Sequence, residues 1–209
     1  MAASLDTTTT IYDRSGYGND GTWYGNGSRY ISLNSGEQMA SFDGSTDQVV
    51  IVNDSSLQTD RDYTIMFWAY PTNVSKSRQN PVAKAYGGEG TVTMEPSGAL
   101  SFYHGEPGGN AWPYIGFHTS DVFSNDVFVF VAITRNRNAR ILKLYKNGNV
   151  FRSISDYTYD PSKSNNNFTI GKDYAGYFQG NIDQVRLFGR ELLAEEILSI
   201  YNRENIRYQ

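Results

Sequence analysis

The feature that most limits the fold is a two-residue rhythm of apolar side chains, rich in aromatic and β-branched residues and broken by Gly, Pro, Asn or Asp roughly every ten positions. Strand side chains alternate between faces, so a chain patterned in this way builds sheets. The clearest predicted strands are QVVIV (48–52), YTIMFWAY (63–70), ALSFYH (99–104), DVFVFVAITR (126–135), RILKLYKNG (140–148), NFTIG (167–171) and IDQVRLFG (182–189). In ILKLY, Leu142 and Leu144 share one face and Lys143 takes the other, whereas VFVFVAI is apolar on both faces and predicts a central strand. Asn147 and Gly148 tolerate positive φ and predict a tight hairpin. One helix interrupts the pattern, in ELLAEEILSIYNRE (191–204), where Leu193, Ile197, Ile200 and Tyr201 recur at helical spacing beside Glu195 and Glu196. The expected class is all-β with one short C-terminal helix packed near the edge of a sandwich.

A chain of 209 residues suits one large all-β domain, so a single domain over 1–209 is expected, with residues 1–10 as a flexible arm. A net charge of -4 opposes binding to nucleic acid or anionic membrane through bulk electrostatics, and Arg135, Arg137 and Arg140 of RNRNAR read as a solvated hairpin tip. There is no cysteine, which excludes disulfides, thiolate zinc sites and a cysteine nucleophile, and leaves stability to the core or to a bound ion. MAASLDTTTT has no basic start followed by an apolar run, and nowhere do about 18 apolar residues follow one another, so neither a leader peptide nor membrane insertion is expected.

Two segments carry candidate sites. DRSGYGNDGTWYG (13–25) sets four glycines among Asp13, Asn19, Asp20 and three aromatics, a composition that folds into tight turns with converging oxygens. Such oxygens suit either a metal or a well-made turn. YHGEPGGNAWPYIG (103–116) presents Tyr103, His104, Trp112 and Tyr114 in a loop where sugar rings could stack beside polar groups. The other reading makes Trp112 and Tyr114 apolar plugs closing one end of the sandwich, and Trp23 and Tyr24 carry the same two readings. Trp68, inside a strand, reads as core.

Five stretches in order, DRSGYGNDGT, FDGSTDQVVI (42–51), YTIMFWAYP (63–71), LKLYKNG (142–148) and FQGNIDQVRLFGRELLAEEILSIYN (178–202), resemble the laminin-G-like, concanavalin A-like jelly roll over nearly the whole chain. The resemblance implies a two-sheet antiparallel jelly-roll sandwich, an architecture used mostly to bind sugars or proteins. One departure is Leu193, where relatives carry Ser, Thr or Asp, which removes an N-cap worth about 1 kcal/mol. In many relatives the first loop and the aspartate of a late G-x-I-D-x-V-R strand meet around calcium. The resemblance therefore implies Asp13, Asn19 and Asp183 as ligands of a structural calcium, a hard ion served by carboxylate, amide and carbonyl oxygens. The alternative is that these side chains bond only to nearby backbone; Asp43 in FDG is a weaker candidate, its Asp-Gly being an ordinary turn.

Related sandwiches also house glucanases, whose chemistry needs two carboxylates roughly 5 to 9 Å apart, usually on one strand as E-x-D-x-E. That pattern is absent. Glu89 and Glu95 read as solvent-exposed rim charges with no reason to converge, and His104 and His118 as strand-end histidines that could act together only if hairpin pairing joined their strands. The expected function is a non-catalytic recognition or adhesion domain on a phage virion surface, as a capsid or tail decoration beside other virion proteins, binding a glycan or host-surface polysaccharide. The alternatives are an extracellular carbohydrate-binding module cut from a larger secreted polysaccharide-degrading enzyme, and a glycoside hydrolase.

Overall fold

The computed structural model describes residues 9–26, 29–33, 35–84, 89–105, 114–157, 160–161 and 163–209. In chain order the strands are β1 (Thr10–Ile11), β2 (Gly21–Tyr24), β3 (Tyr30–Ser32), β4 (Gln38–Asp43), β5 (Gln48–Ile51), β6 (Tyr63–Pro71), β7 (Gln79–Lys84), β8 (Thr91–Met94) and β9 (Leu100–Gly105). They continue with β10 (Tyr114–Thr119), β11 (Val129–Asn136), β12 (Ile141–Lys146), β13 (Asn149–Ser155), β14 (Phe168–Ile170), β15 (Lys172–Asp173), β16 (Gly176–Tyr177) and β17 (Gln179–Phe188), followed by α1 (Ala194–Asn205). Thr10 thus belongs to a strand, and residues 1–8 of the expected arm lie outside the described residues.

Two large antiparallel sheets form a sandwich. The front sheet has the order β1-β2-β5-β14-β7-β8-β9-β10 and the back sheet β13-β12-β11-β6-β17-β4-β3, while β15 and β16 make a small ribbon. Between the sheets lies the main core, with Trp23, Phe42, Val49, Ile65, Phe67, Val82, Phe102, Val131 and Ile133 among its buried residues. A second core, including Met66, Trp68, Phe130, Leu192, Ile197 and Tyr208, fills the space between the back sheet and α1. This explains why β11 reads as apolar on both faces, and β6 is buried in the same way. Ile65 and Phe67 serve one core and Met66 and Trp68 the other, the alternation of a strand buried on two sides.

Local chemistry sets the element ends. Asn147 (φ 50°) and Gly148 (φ 79°) take the positive φ of a primed hairpin turn between β12 and β13. α1 begins after Leu193, which supplies no side-chain cap, but the Glu196 carboxylate accepts the Leu193 N–H at 2.8 Å and so satisfies one exposed donor. The forked grip of Arg190, at 2.8 and 2.7 Å, holds the Glu196 carboxyl down to about 2. Glu204, buried at the far end of α1, accepts from Trp68 Nε1 at 3.0 Å and Arg186 Nη2 at 2.5 Å, pinning the helix to the back sheet. Among the described residues no helix is long and apolar enough to cross a membrane.

Candidate functional site

Period two along the strands dictates what closes the main core at one end. In β6, β7, β9 and β11 the inward rows run Ile65 to Tyr63, Val82 to Lys84, Phe102 to His104 and Ile133 to Arg135, and all four terminal side chains are 0% exposed. Antiparallel pairing brings these positions to the same end of the sandwich, so four polar groups form a layer beneath the loops. Buried polar groups must find partners, and most of these do so on loop backbone. Lys84 Nζ donates to Asn53 Oδ1 at 2.9 Å and to the Leu57 carbonyl at 3.1 Å, and lies 3.2 Å from Glu89 Oε2. Ser164 donates to Glu89 from both its hydroxyl and its N–H. Burial lowers the Lys84 ammonium and raises the Glu89 carboxyl, each shift partly offset by the other group's charge.

Arg135 donates to Tyr157 Oη at 2.8 Å, to the Thr59 and Arg61 carbonyls at 3.1 and 3.0 Å, and to Asp160. Arg137 and Arg140 approach the same carboxylate at 3.7 and 3.8 Å. The expected solvated tip is therefore corrected for Arg135, which is interior because it continues the inward row of Val131 and Ile133. His104 Nδ1 lies 3.2 Å from Tyr63 Oη, its ring meets Tyr157 edge-on at 5.2 Å, and Nε2 has no hydrogen-bond partner among the described residues. Burial, with the nearby Arg135 charge, pushes the imidazole down to about 3. It is an interior residue and presents no surface for stacking.

On the outer face of the front sheet, β8, β9 and β10 carry a different set. Tyr103, half-buried, has its ring under the Arg78 guanidinium, 5.6 Å from the centroid, and accepts from Arg78 Nη2 at 2.7 Å. Arg78 Nε donates to Glu95 Oε2 at 2.9 Å. Opposite Tyr103 on β10 stands Gly116, which adds no side chain beside the ring, and two pairs further along the ladder His118 Nδ1 lies 2.9 Å from Ser101 Oγ. Hairpin pairing does join β9 and β10, yet His104 faces the core and His118 the outside, so the two histidines do not combine. Glu89 and Glu95 likewise part: Glu89 is wholly buried and Glu95 mostly covered beneath Arg78, which corrects their reading as exposed rim charges. Of the other candidates, Trp112 lies outside the described residues, and Tyr114 opens β10 opposite Gly105 with its side chain undescribed.

The first candidate segment sends Trp23 and Tyr24 to opposite sides. Trp23, 4% exposed, faces Phe42 at 5.1 Å in the core, and Tyr24 points outward. Asp13 accepts from Ser15 N at 2.8 Å, Ser15 Oγ at 2.7 Å and Asn19 N at 3.0 Å, and Asn19 Nδ2 donates to Ser56 Oγ at 2.9 Å. Partial burial raises the Asp13 carboxyl, but these donors outweigh it and hold the group below its usual range. Asp43 makes a similar turn with Ser45 and Thr46. Asp183 instead emerges from β17 opposite Trp68, on the outer face of the back sheet, where it accepts from Tyr208 Oη at 2.6 Å and burial raises its pKa. Among the described residues no hydrogen bond joins Asp13 or Asn19 to Asp183, each being held by its own neighbours. Among the described residues no group of three or more His, Cys, Asp or Glu side chains could hold a metal ion.

One further hollow, of about 260 Å³, opens between β3 and the chain's last turn; Tyr70, Phe128 and Tyr208 line it, with Arg207 at its rim paired to Glu37 at 3.5 Å.

Comparison with known proteins agrees with this architecture. The family model described as the concanavalin A-like lectin/glucanases superfamily matches residues 42–198. Among solved structures, the receptor binding domain of botulinum neurotoxin C/D mosaic serotype superposes with a TM-score of 0.75 at 16% identity, over 94% of this chain and 49% of that one. The botulinum neurotoxin serotype D binding domain gives 0.75 at 15% identity, over 95% and 53%. The binding domain of Paraclostridial Mosquitocidal Protein 1 gives 0.71 at 17%, over 92% and 49%. The chain thus spans about half the length of these structures, and at such identities the likeness is one of fold. No curated protein matches the sequence.

Proposed function

The chain belongs to the concanavalin A-like lectin/glucanase superfamily, and from that premise we propose a non-catalytic recognition domain that holds a glycan or a surface receptor on the outer face of its front sheet, around Tyr103. One observation carries the proposal: the two carboxylates that could have served hydrolysis lie on opposite sides of the sheet. Glu89 is committed to Lys84 inside, and Glu95 to Arg78 outside. Glycoside hydrolysis needs two carboxyl groups flanking one bond, whereas recognition needs an aromatic face with fixed polar groups beside it. Tyr103, Arg78, Ser101 and His118 supply the latter. The binding domains among the structural neighbours favour attachment as the role of this fold.

Display in many copies on a virion surface is the finer part of the proposal, with an extracellular module as the second setting. Linked weak sites raise avidity by about a hundredfold or more, so an array would adhere where one copy barely holds. In the test, the purified chain is applied to glycan arrays and bacterial surface polysaccharide as monomer and as multivalent array. Binding should weaken by about 1 to 3 kcal/mol in Tyr103→Ala, with the fold intact and no reducing ends released. Cleavage abolished by Glu89→Gln or Glu95→Gln would make the chain an enzyme, and undiminished binding by Tyr103→Ala would remove the site from this face.

A further inference from the structure

We propose a second recognition surface at the opposite edge of the front sheet, where Tyr12, Tyr17, Tyr24 and Val52 take an extended, neutral oligosaccharide. Gly21 faces inward, where a Cβ would come within 2.5 Å of Val49 Cγ1, and this fixes the parity of its strand. Asp20, Thr22 and Tyr24 therefore point out. Gly21 pairs with Ile51 and with Ile11, so Val52 and Tyr12, the residues just beyond β5 and β1, flank Asp20 on the outer side. The exposures are 43% for Tyr12, 75% for Tyr17, 51% for Tyr24 and 72% for Val52. Exposed apolar side chains scattered singly need no explanation, but Tyr12, Tyr24 and Val52 share the outer face of this edge, and Tyr17 stands exposed in the loop that joins β1 to β2.

The tyrosines stand on a braced support. Asp13 closes its turn on Ser15 and Asn19, Ser15 Oγ accepts the Tyr17 N–H at 3.3 Å, Asn19 is tied to Ser56, and the Arg14 guanidinium lies 5.9 Å from the Tyr12 ring centroid. A loop backbone held before binding need not be ordered again when a ligand arrives. Tyr24 and the Tyr12 level are four residues apart along the strand, a span of about 14 Å that only a chain-like ligand covers. Thr10 and Thr22 lie between and Gln48 stands directly opposite Tyr24, offering hydroxyl and amide partners.

Area argues against a protein partner. The four exposed side chains offer about 400 Å² of ring and aliphatic surface, half of the roughly 800 Å² per side of a stable protein interface. Charge argues against an acidic sugar, because Asp13, Asp20 and the exposed turn carboxylate of Asp54 outnumber Arg14 nearby. No residue is shared with the Tyr103 surface, so the two sites succeed or fail separately.

The experiment is calorimetric titration of the whole chain with cellohexaose, chitohexaose, mannohexaose and hexagalacturonate. At least one neutral hexasaccharide should bind, and Tyr12→Ala, Tyr17→Ala and Tyr24→Ala should each weaken it by about tenfold. Tyr17→Phe should retain the affinity, because it keeps the stacking face. The proposal is overturned if no neutral probe binds at millimolar concentration, if hexagalacturonate binds more tightly than all of them, if the three alanine variants bind as the parent does, or if Tyr103→Ala alone abolishes binding.

Discussion

His104 makes the fold measurably sensitive to mild acid. Its imidazole is wholly buried, Nε2 has no partner among the described residues, and burial together with the Arg135 charge pushes its pKa down to about 3, against about 6.5 in an unfolded chain. Between those values the unfolded chain binds a proton that the folded one refuses, so stability rises with pH across this window and falls as pH is lowered. The full slope is about 1.4 kcal/mol per pH unit, and integration from pH 7 to pH 5 gives a loss of about 2 kcal/mol, or about 4 to 8 °C of Tm for a chain of this size. Glu89, Asp173 and Asp183, whose pKa values are raised chiefly by burial, act in the opposite direction over the lower part of the range. The assay is therefore a difference: urea unfolding of the parent and of His104→Phe at pH 7, 6, 5 and 4.5. A phenyl ring fits beside Phe102 and Tyr157 and removes the titration, so the variant should lose about 2 kcal/mol less than the parent between pH 7 and pH 5. Parallel curves for the two proteins would refute the reasoning.

Two further outcomes follow from the same geometry. Lys84→Met leaves Glu89 buried without its cation and should cost about 3 to 5 kcal/mol, whereas Lys84→Met with Glu89→Gln should recover most of that; equal losses in urea unfolding would show the pair is not coupled. Because Asp13 already has hydrogen-bond donors within the loop between β1 and β2, and Asp183 has its own on the back sheet, EDTA should leave the Tm unchanged; a calcium-induced rise of about 5 to 10 °C that Asp183→Ala abolishes would contradict this reading.

Legibility in the sequence followed the strength of the alternation. β6 and β11 were readable as long apolar runs, and the helix at 194–205 from its spacing. β7 was not, because QNPVAK contains Pro81, which lacks a donor; the structure tolerates it beside a register shift between Gln79 and Val82. β8 (TVTM) is short and half polar, and β13 (NVFRSIS) is an edge strand with few buried side chains, so neither carries a clear apolar rhythm. The polar layer was present in the same alternation: Lys84, His104 and Arg135 each fall two residues after an inward Val82, Phe102 or Ile133. A charged residue at a strand end invites reading as a loop, and parity alone shows that it turns inward. The pairing of Asp183 with Tyr208 was hidden for another reason, since it depends on the chain returning through α1 to the back of the sheet.

That return also decides which surface is free to recognise anything. A sandwich has two outer sheet faces, and here α1 takes much of the back one, with Trp68, Phe130 and Met66 packed beneath it and Glu204 bonded to Trp68 and Arg186. Exposing that face would cost the second core. Among the described residues no helix packs over the front sheet at Tyr103 or Tyr24, and the buried layer of Lys84, Glu89 and Arg135, with the half-buried Asp160 paired to Arg135, fixes the roots of the loops at its end. Rigid roots beneath an open face are what a recognition surface requires, because ordering that has already occurred in folding is not demanded again on binding.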